Sequence, residues 1–216
     1  MKRVFGRIYV PDSKDKKFSL AKKRKGLVSQ RKSRYWNDGR WFADQGATSS
    51  CVGHAWAHWL DCAPFRQYLN PHGIYSLAKF QDAWEGEDYD GTSVRAGAKV
   101  LQTLGFIESY QWAMTTEQIV YAVLEIGPVV VGTDWYEGMS TPDHRGLLTL
   151  SGDFQGGHAW IITGVNVDKR LFRMKNSWGL TFGKHGRGWI SFNAMAALLK
   201  DNGEVCLGVE RKAKAL

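Results

Sequence analysis

Helix signals come first along this chain and strand signals second, an order that points to an α+β protein with two segregated parts. A helix is predicted from near Ser50 through Leu60 or Cys62, with Ser49 and Ser50 as N-cap candidates and Ala55, Trp56, Ala57 and Leu60 suited to burial. A second is predicted from Ser93 to Leu104, started by Thr92 or Ser93 and stopped by Gly105. A third spans Thr116 to Glu125 and ends at Gly127-Pro128. From there the character changes. Val129-Val130-Val131, Ala159 to Thr163, Leu171 to Met174 and Trp189 to Phe192 are β-rich runs separated by Gly, Asp and Asn. The chain shows no internal repeat and no low-complexity linker.

At 216 residues the chain has room for one large domain or two small lobes sharing a cleft. Its 44% hydrophobic and 23% charged content is that of a globular protein. No stretch approaches the roughly 20 apolar residues that cross a bilayer, so no membrane partner is expected. Lys14, Lys16 and Lys17 interrupt any signal-peptide core. Three cysteines, Cys51, Cys62 and Cys206, make no disulfide framework and suit a reducing compartment. The expected location is cytoplasmic, with carriage in a viral particle as the alternative.

The net charge of +8 is unevenly spread. Residues 1–40 carry 14 Lys/Arg against 3 Asp/Glu, a net of +11, and the remainder is at −3. Residues 1–40 therefore read as a basic N-terminal extension, with Tyr35 and Trp36 as anchors onto the body. Lys22-Lys23-Arg24-Lys25 and Arg31-Lys32 with Arg34 are its densest parts. A solvated arm is the plain reading, and contact with nucleic acid or an acidic protein surface is the sharper one. The acidic cluster Glu85, Glu87, Asp88 and Asp90 is a candidate dock for it.

Chemistry concentrates at four positions. A thiol becomes a useful nucleophile when its proton is removed and its anion held. Cys51, at the first turn of a predicted helix, is expected to have its pKa lowered by unpaired N–H groups and the helix dipole. His158 follows Gly156-Gly157 and opens a strand, and it precedes Asn176 by 18 residues, a spacing that one hairpin brings together. Asn176 would fix the imidazole so that its other nitrogen serves the thiol. Trp178 would shield that hydrogen bond from water. Gln45, six residues before Cys51, is the oxyanion candidate together with the Cys51 backbone N–H. Cys62 reads as core. His54 and His58, four apart on the Cys51 helix, lack a zinc-peptidase glutamate and read as core or interface residues. No metal or cofactor is expected.

Gln45-Gly46…Cys51, Gly157-His158-Ala159 and Asn176-Ser177-Trp178-Gly179, in this order, resemble the papain-like cysteine peptidases from about Trp41 to Phe192. Gly127-Pro128-Val129, Phe182-Gly183, Gly186 and Gly188-Trp189-Ile190 are supporting parallels. The resemblance implies a papain-like two-lobe fold over residues 41–216. A helical lobe (about 41–126) carries the cysteine and an antiparallel β-rich lobe (about 127–216) carries the histidine. It implies Cys51 as nucleophile paired with His158 as a thiolate–imidazolium couple, Asn176 as orienter and Gln45 as oxyanion donor. Gly91, Thr92, Gly157 and Trp178 become candidate substrate contacts, and the Glu210–Arg211 region a candidate floor for the pocket two residues upstream of the cut. Departures are Val52 in place of the usual Trp, Thr48 in place of a disulfide-forming Cys, and Thr92 in place of the second glycine of the backbone-binding strip, which it would narrow or re-polarise. The basic extension is too short and too charged to resemble an inhibitory propeptide.

The function expected is hydrolysis of peptide bonds in a peptide or protein substrate through a thioester acyl-enzyme. The alternatives are a catalytically silent papain-fold peptide-binding protein tethered by its basic arm, and a thiol hydrolase acting on cell-wall peptides.

Overall fold

A computed structural model describes residues 3–20, 31–82, 84–86 and 88–210. Six helices are present among them: α1 (Cys51–Asp61), α2 (Pro71–Gln81), α3 (Val94–Thr103), α4 (Thr116–Tyr121), the short α5 (Glu137–Ser140) and α6 (Phe192–Lys200). The strands are β1 (Ser33–Tyr35), β2 (Ile107–Trp112), β3 (Val129–Tyr136), β4 (Phe154–Asn166), β5 (Leu171–Lys175), β6 (Arg187–Ser191) and β7 (Glu204–Glu210). They form one antiparallel sheet in the order β2-β7-β3-β4-β5-β6. β1 continues the β3 edge of β4, pairing Ser33 with Asn166 and Tyr35 with Gly164. The α+β class expected from the order of signals is the class observed.

The long apolar run of β4 is explained by burial on both faces. Trp160 and Ile162 enter a core with Trp135, Phe172 and Met174, while Ala159 and Ile161 enter a second core around α1. This alternation is the two-residue period of a strand. Residues 51–60 of α1 are buried throughout, so the helix carrying Cys51 is the central one. α3 reaches it closely because Gly97 has no side chain: a Cβ there would lie 2.2 Å from Trp56 Cδ1.

Local details depart from expectation. Ser50 occupies the N-cap of α1 without capping it. Its hydroxyl instead meets Thr48 Oγ1 at 2.6 Å and His54 Nδ1 at 3.1 Å. Ser93 caps α3 as expected, accepting from the Ala96 N–H at 3.1 Å. The third predicted helix stops being α-helical at Tyr121 and passes into a wider π turn over Ala122–Ile126. Phe192 starts α6 rather than ending a strand, because the Ser191 hydroxyl caps the helix at Ala194.

The N-terminal extension is tied to the body. Trp36 Nε1 donates to Val123 O at 2.8 Å, Leu20 is buried, and Arg95 pairs with Asp12 at 3.0 Å and with Asp15. The ion pairs of Arg3, Arg7 and Lys32 reach Asp44, Glu204 with Asp134, and Asp168, instead of the Glu85–Asp90 cluster. The run Lys22–Lys25 lies outside the described residues. Among the described residues no helix is long and apolar enough to cross a membrane.

Candidate active site

Cys51 is the first residue of α1 and is fully buried. Backbone hydrogen bonds from Ala159, Gly6 and Val52 reach its sulfur and favour the thiolate, but burial outweighs them and pushes the thiol up to about 11. The lowered pKa expected at a helix start is therefore not found in this closed state. The N–H of Ala159, the residue after His158, is thereby on the sulfur's side of the strand.

His158 pairs with Thr133 across β3 and β4, and it is fully buried among aromatic rings. Trp135, Trp178 and Phe5 lie with ring centroids at 4.8, 5.1 and 5.8 Å. Burial lowers its pKa to about 4, against a raising effect from Asn176. Asn176 Oδ1 lies 2.8 Å from His158 Nε2 and also accepts the Ser177 N–H at 2.8 Å. The second bond identifies this atom as oxygen, since a backbone N–H needs an acceptor. His158 Nε2 therefore carries the proton, and Nδ1 is the basic nitrogen of the neutral ring. Nδ1 is buried and makes no hydrogen bond among the described residues. Burial thus disfavours both charged forms, the thiolate and the imidazolium, in this arrangement.

Gln45 is held at both ends. Its Oε1 accepts from Ser177 Oγ at 2.6 Å, and its Nε2 donates to Thr48 O and Val4 O, both at 3.0 Å. The Val4 contact introduces the feature that sequence reasoning missed: residues 3–9 run along the groove past the candidate site residues other than Asn176. Arg3 pairs with Asp44 and lies over the Trp178 ring at 5.3 Å. Phe5 packs edge-on to His158 and Trp178. The Arg7 N–H donates to Gly157 O at 2.9 Å. Thr92 brackets Arg7 in a parallel bridge, its N–H donating to Gly6 O and its carbonyl accepting from the Ile8 N–H, both at 2.9 Å. The expected substrate contacts Gly91, Thr92, Gly157 and Trp178 thus all border this one segment. Gly91 has φ +103°, and a Cβ on it would lie 2.5 Å from Gly6 O.

One expectation is corrected by this geometry. Thr92 does not narrow the strip, because its hydroxyl turns away to Asp82 Oδ2 at 2.9 Å. The basic extension, whose path the sequence leaves open, follows the groove over residues 3–9. Only seven residues are needed, and Val4, Phe5 and Gly6 are uncharged where it is tightest. The carboxylate that meets Arg7 is Glu204, at 3.0 Å from its Nε, whereas Glu210 pairs with Ile107 at the far end of β7. Arg211 lies outside the described residues.

The remaining candidates are core. Cys62 is buried, with its thiol pushed up to about 12 by burial. His58 Nε2 accepts from the Ala43 N–H at 3.2 Å, and His54 Nδ1 meets Ser50 O at 3.0 Å. Among the described residues no group of three or more His, Cys, Asp or Glu is placed to hold a metal.

No family model matches the chain. It is 28% identical over 120 residues to an uncharacterised peptidase C1-like protein of Acanthamoeba polyphaga mimivirus, an alignment covering 53% of this chain and 38% of that protein. The chain thus spans well under two thirds of that relative. Among solved structures it is similar to xylellain, a cysteine protease from Xylella fastidiosa, with TM-score 0.78 and 20% identity over 98% of both chains. Bromelain from Ananas comosus, in complex with the E64 inhibitor, gives TM-score 0.64 and 13% identity, covering 84% of this chain and all of that one. Digestive procathepsin L 3 of Tenebrio molitor gives TM-score 0.62 and 15% identity, covering 85% of this chain and 71% of that one. The chain has the papain-like α+β fold.

Proposed function

We propose that this chain is a cysteine peptidase that hydrolyses peptide bonds through a thioester, with Cys51, His158 and Asn176 as its triad. The observation that carries the reading is the pairing of His158 Nε2 with Asn176 Oδ1 at 2.8 Å, which leaves Nδ1 as the basic nitrogen beside the Cys51 helix. In this reading His158 Nδ1 takes the Cys51 proton as sulfur attacks the carbonyl carbon. The carbonyl oxygen gains the negative charge and is met by Gln45 Nε2 and the Cys51 backbone N–H. His158 then gives the proton to the departing amine, and afterwards draws one from the water that splits the thioester. Trp178 keeps bulk water from the His158–Asn176 bond.

The segment through the groove must leave before a substrate enters. It is poorly placed for attack on itself, because Gly6 presents its N–H to the Cys51 sulfur while its carbonyl is engaged by Thr92. A segment seated along the site also favours a second reading, a catalytically silent peptide-binding protein. Cleavage of a peptide mixture by the full chain, compared with Cys51→Ala and His158→Ala, separates them. Turnover lost in both variants supports the peptidase. Turnover retained in Cys51→Ala overturns it, and absence of turnover in every form leaves the binding protein.

A further inference from the structure

We propose that the pocket formed by Glu204, Asp134, Val94 and Gly132 is a specificity pocket for an arginine side chain of the substrate, and that Arg7 occupies it in the closed chain. The inference rests on the peptidase reading and names the substrate class of the same site.

The pocket is built for a guanidinium. Arg7 Nε donates to Glu204 Oε1 at 3.0 Å, Nη2 donates to the Asn202 carbonyl, and Nη1 lies 3.7 Å from Asp134 Oδ1. Two hydrogen-bond acceptors and a third, ion-paired carboxylate thus converge on three different nitrogens of one planar group, a match that an ammonium on a flexible stem reproduces poorly. The Tyr9 ring lies 4.9 Å from the guanidinium carbon. Room for the group comes from Gly132, where a Cβ would lie 2.8 Å from Arg7 Nε and 3.0 Å from Glu204 Oε1. Any other residue at that position would fill the space.

The pocket also favours a cation. The Glu204 side chain is 9% exposed and that of Arg7 is 1% exposed. Arg95 is the next positive charge that acts on Glu204, and it is already paired with Asp12 and Asp15. Once residues 3–9 withdraw, Glu204 loses the charge that most favours its ionised form, and a new cation placed there would restore it. The pocket opens onto the reacting groups: Arg7 follows Gly6, whose backbone touches the Cys51 sulfur, and it lies opposite Thr92. A substrate strand docked on Thr92 would direct the opposite side chain into the same space. The basic residue should therefore fall within two positions of the bond that is cut.

The test uses the full chain carrying Gly6→Val, which disfavours the closed segment while leaving the pocket intact. Its cuts in a synthetic peptide mixture are mapped by mass spectrometry. Arg should be enriched at least fivefold, and Lys less, at one position within two residues of the cut. In the Gly6→Val/Glu204→Gln protein the ratio of kcat/KM for an Arg peptide over its Leu twin should fall at least tenfold. No basic enrichment, or an unchanged ratio, overturns the pocket while leaving the peptidase reading standing. A second measurement does not depend on turnover or on the Glu204 variant folding. The labelled hexapeptide Val-Phe-Gly-Arg-Ile-Tyr and its Arg-to-Leu twin are titrated onto Gly6→Val/Cys51→Ala protein. Tighter binding of the Arg form by tenfold or more supports the pocket even where no cleavage is seen, a result that would instead count against the peptidase reading. Equal binding overturns the pocket.

Discussion

The Ser177 hydroxyl donates to Gln45 Oε1 at 2.6 Å, so the amide of Gln45 has one orientation, with Nε2 toward the groove. Gln45 lies on the loop before α1 and Ser177 follows Asn176, and a second link, the Gln45 N–H to Ser177 O at 2.8 Å, fastens the two loops together. One residue thereby bridges the oxyanion candidate and the His–Asn pair. Ser177→Ala should lower kcat about fivefold with little change in KM, since one hydrogen bond is worth about 1 kcal/mol. Ser177→Thr should restore it. Gln45→Ala should cost roughly a hundred- to a thousandfold. A rise in KM with constant kcat in Ser177→Ala would show that the bond does not position the amide.

Gly6 is the narrowest point of the closed segment: a Cβ there would lie 1.9 Å from Ser49 O. Backbone on both sides leaves no flexible side chain to give way. Gly6→Val should therefore destabilise the closed arrangement, by the roughly 1–3 kcal/mol typical of overpacking, and raise the open population about fivefold to a hundredfold. Iodoacetamide labelling of Cys51 in the native protein should accelerate by that factor, with Cys62 and Cys206 still protected. Unchanged labelling would mean that the segment does not control access to the sulfur.

The contrast between Gln45 and Glu204 shows what the sequence could reveal. Gln45, Cys51, His158 and Asn176 sit in short local strings, and the strands around them are apolar runs bounded by glycine, so their juxtaposition was readable. Arg7 and Glu204 are 197 residues apart and meet only because the N-terminal segment turns back into the groove. No spacing rule carries that contact. β2 and β7 were missed because they mix Glu, Ser, Gln and Gly into strands whose partners lie far off in sequence. α2 had a readable start, Asn70 capping His72 and Gly73 ahead of Pro71, but only Pro71, Ile74 and Ala78 are buried on it. Its apolar stripe was too thin to register. The burial that raises the Cys51 thiol is illegible for the same reason as the path of the segment: helix position is local, whereas burial is a tertiary property.

Burial of three histidines sets the acid limit of stability. His54 and His158 are lowered to about 4 and His58 well below its ordinary value, in each case chiefly by desolvation. Depressed in the folded state, they bind protons more strongly when unfolded, near 6.5, so stability is fully present above 6.5 and is lost as pH falls toward 4. Glu204, raised to about 7 by burial, acts in the opposite sense between about 4.5 and 7. Three groups outweigh one. Urea unfolding should show a net loss on the order of a few kcal/mol between pH 7 and pH 5, and a steeper loss in Glu204→Gln. A flat profile would mean that these imidazoles are already charged in the folded protein.

Asp38 should be the costliest single charge to remove outside the groove. Its carboxylate accepts from Arg187 Nε and Nη2, both at 2.7 Å, and lies 3.5 Å from Arg173, while its carbonyl accepts from the fully buried Lys175 Nζ at 2.6 Å. Arg187 and its neighbours hold the Asp38 carboxyl below the usual carboxylate range despite burial, so the ionised form persists at neutral pH. Asp38→Ala would leave Arg173 and Arg187 facing each other without an anion, beside the strand that ends at Lys175 and delivers Asn176. Loss of one partner from such a cluster costs about 3 kcal/mol or more, and activity should fall with stability as the His158–Asn176 bond loosens. Asp38→Asn, which retains an acceptor oxygen, should cost less. Urea unfolding decides it: a difference between wild type and Asp38→Ala below about 1 kcal/mol, in the range of exposed pairs, would show that the cluster is a solvated surface pairing and not what holds the Asn176 loop.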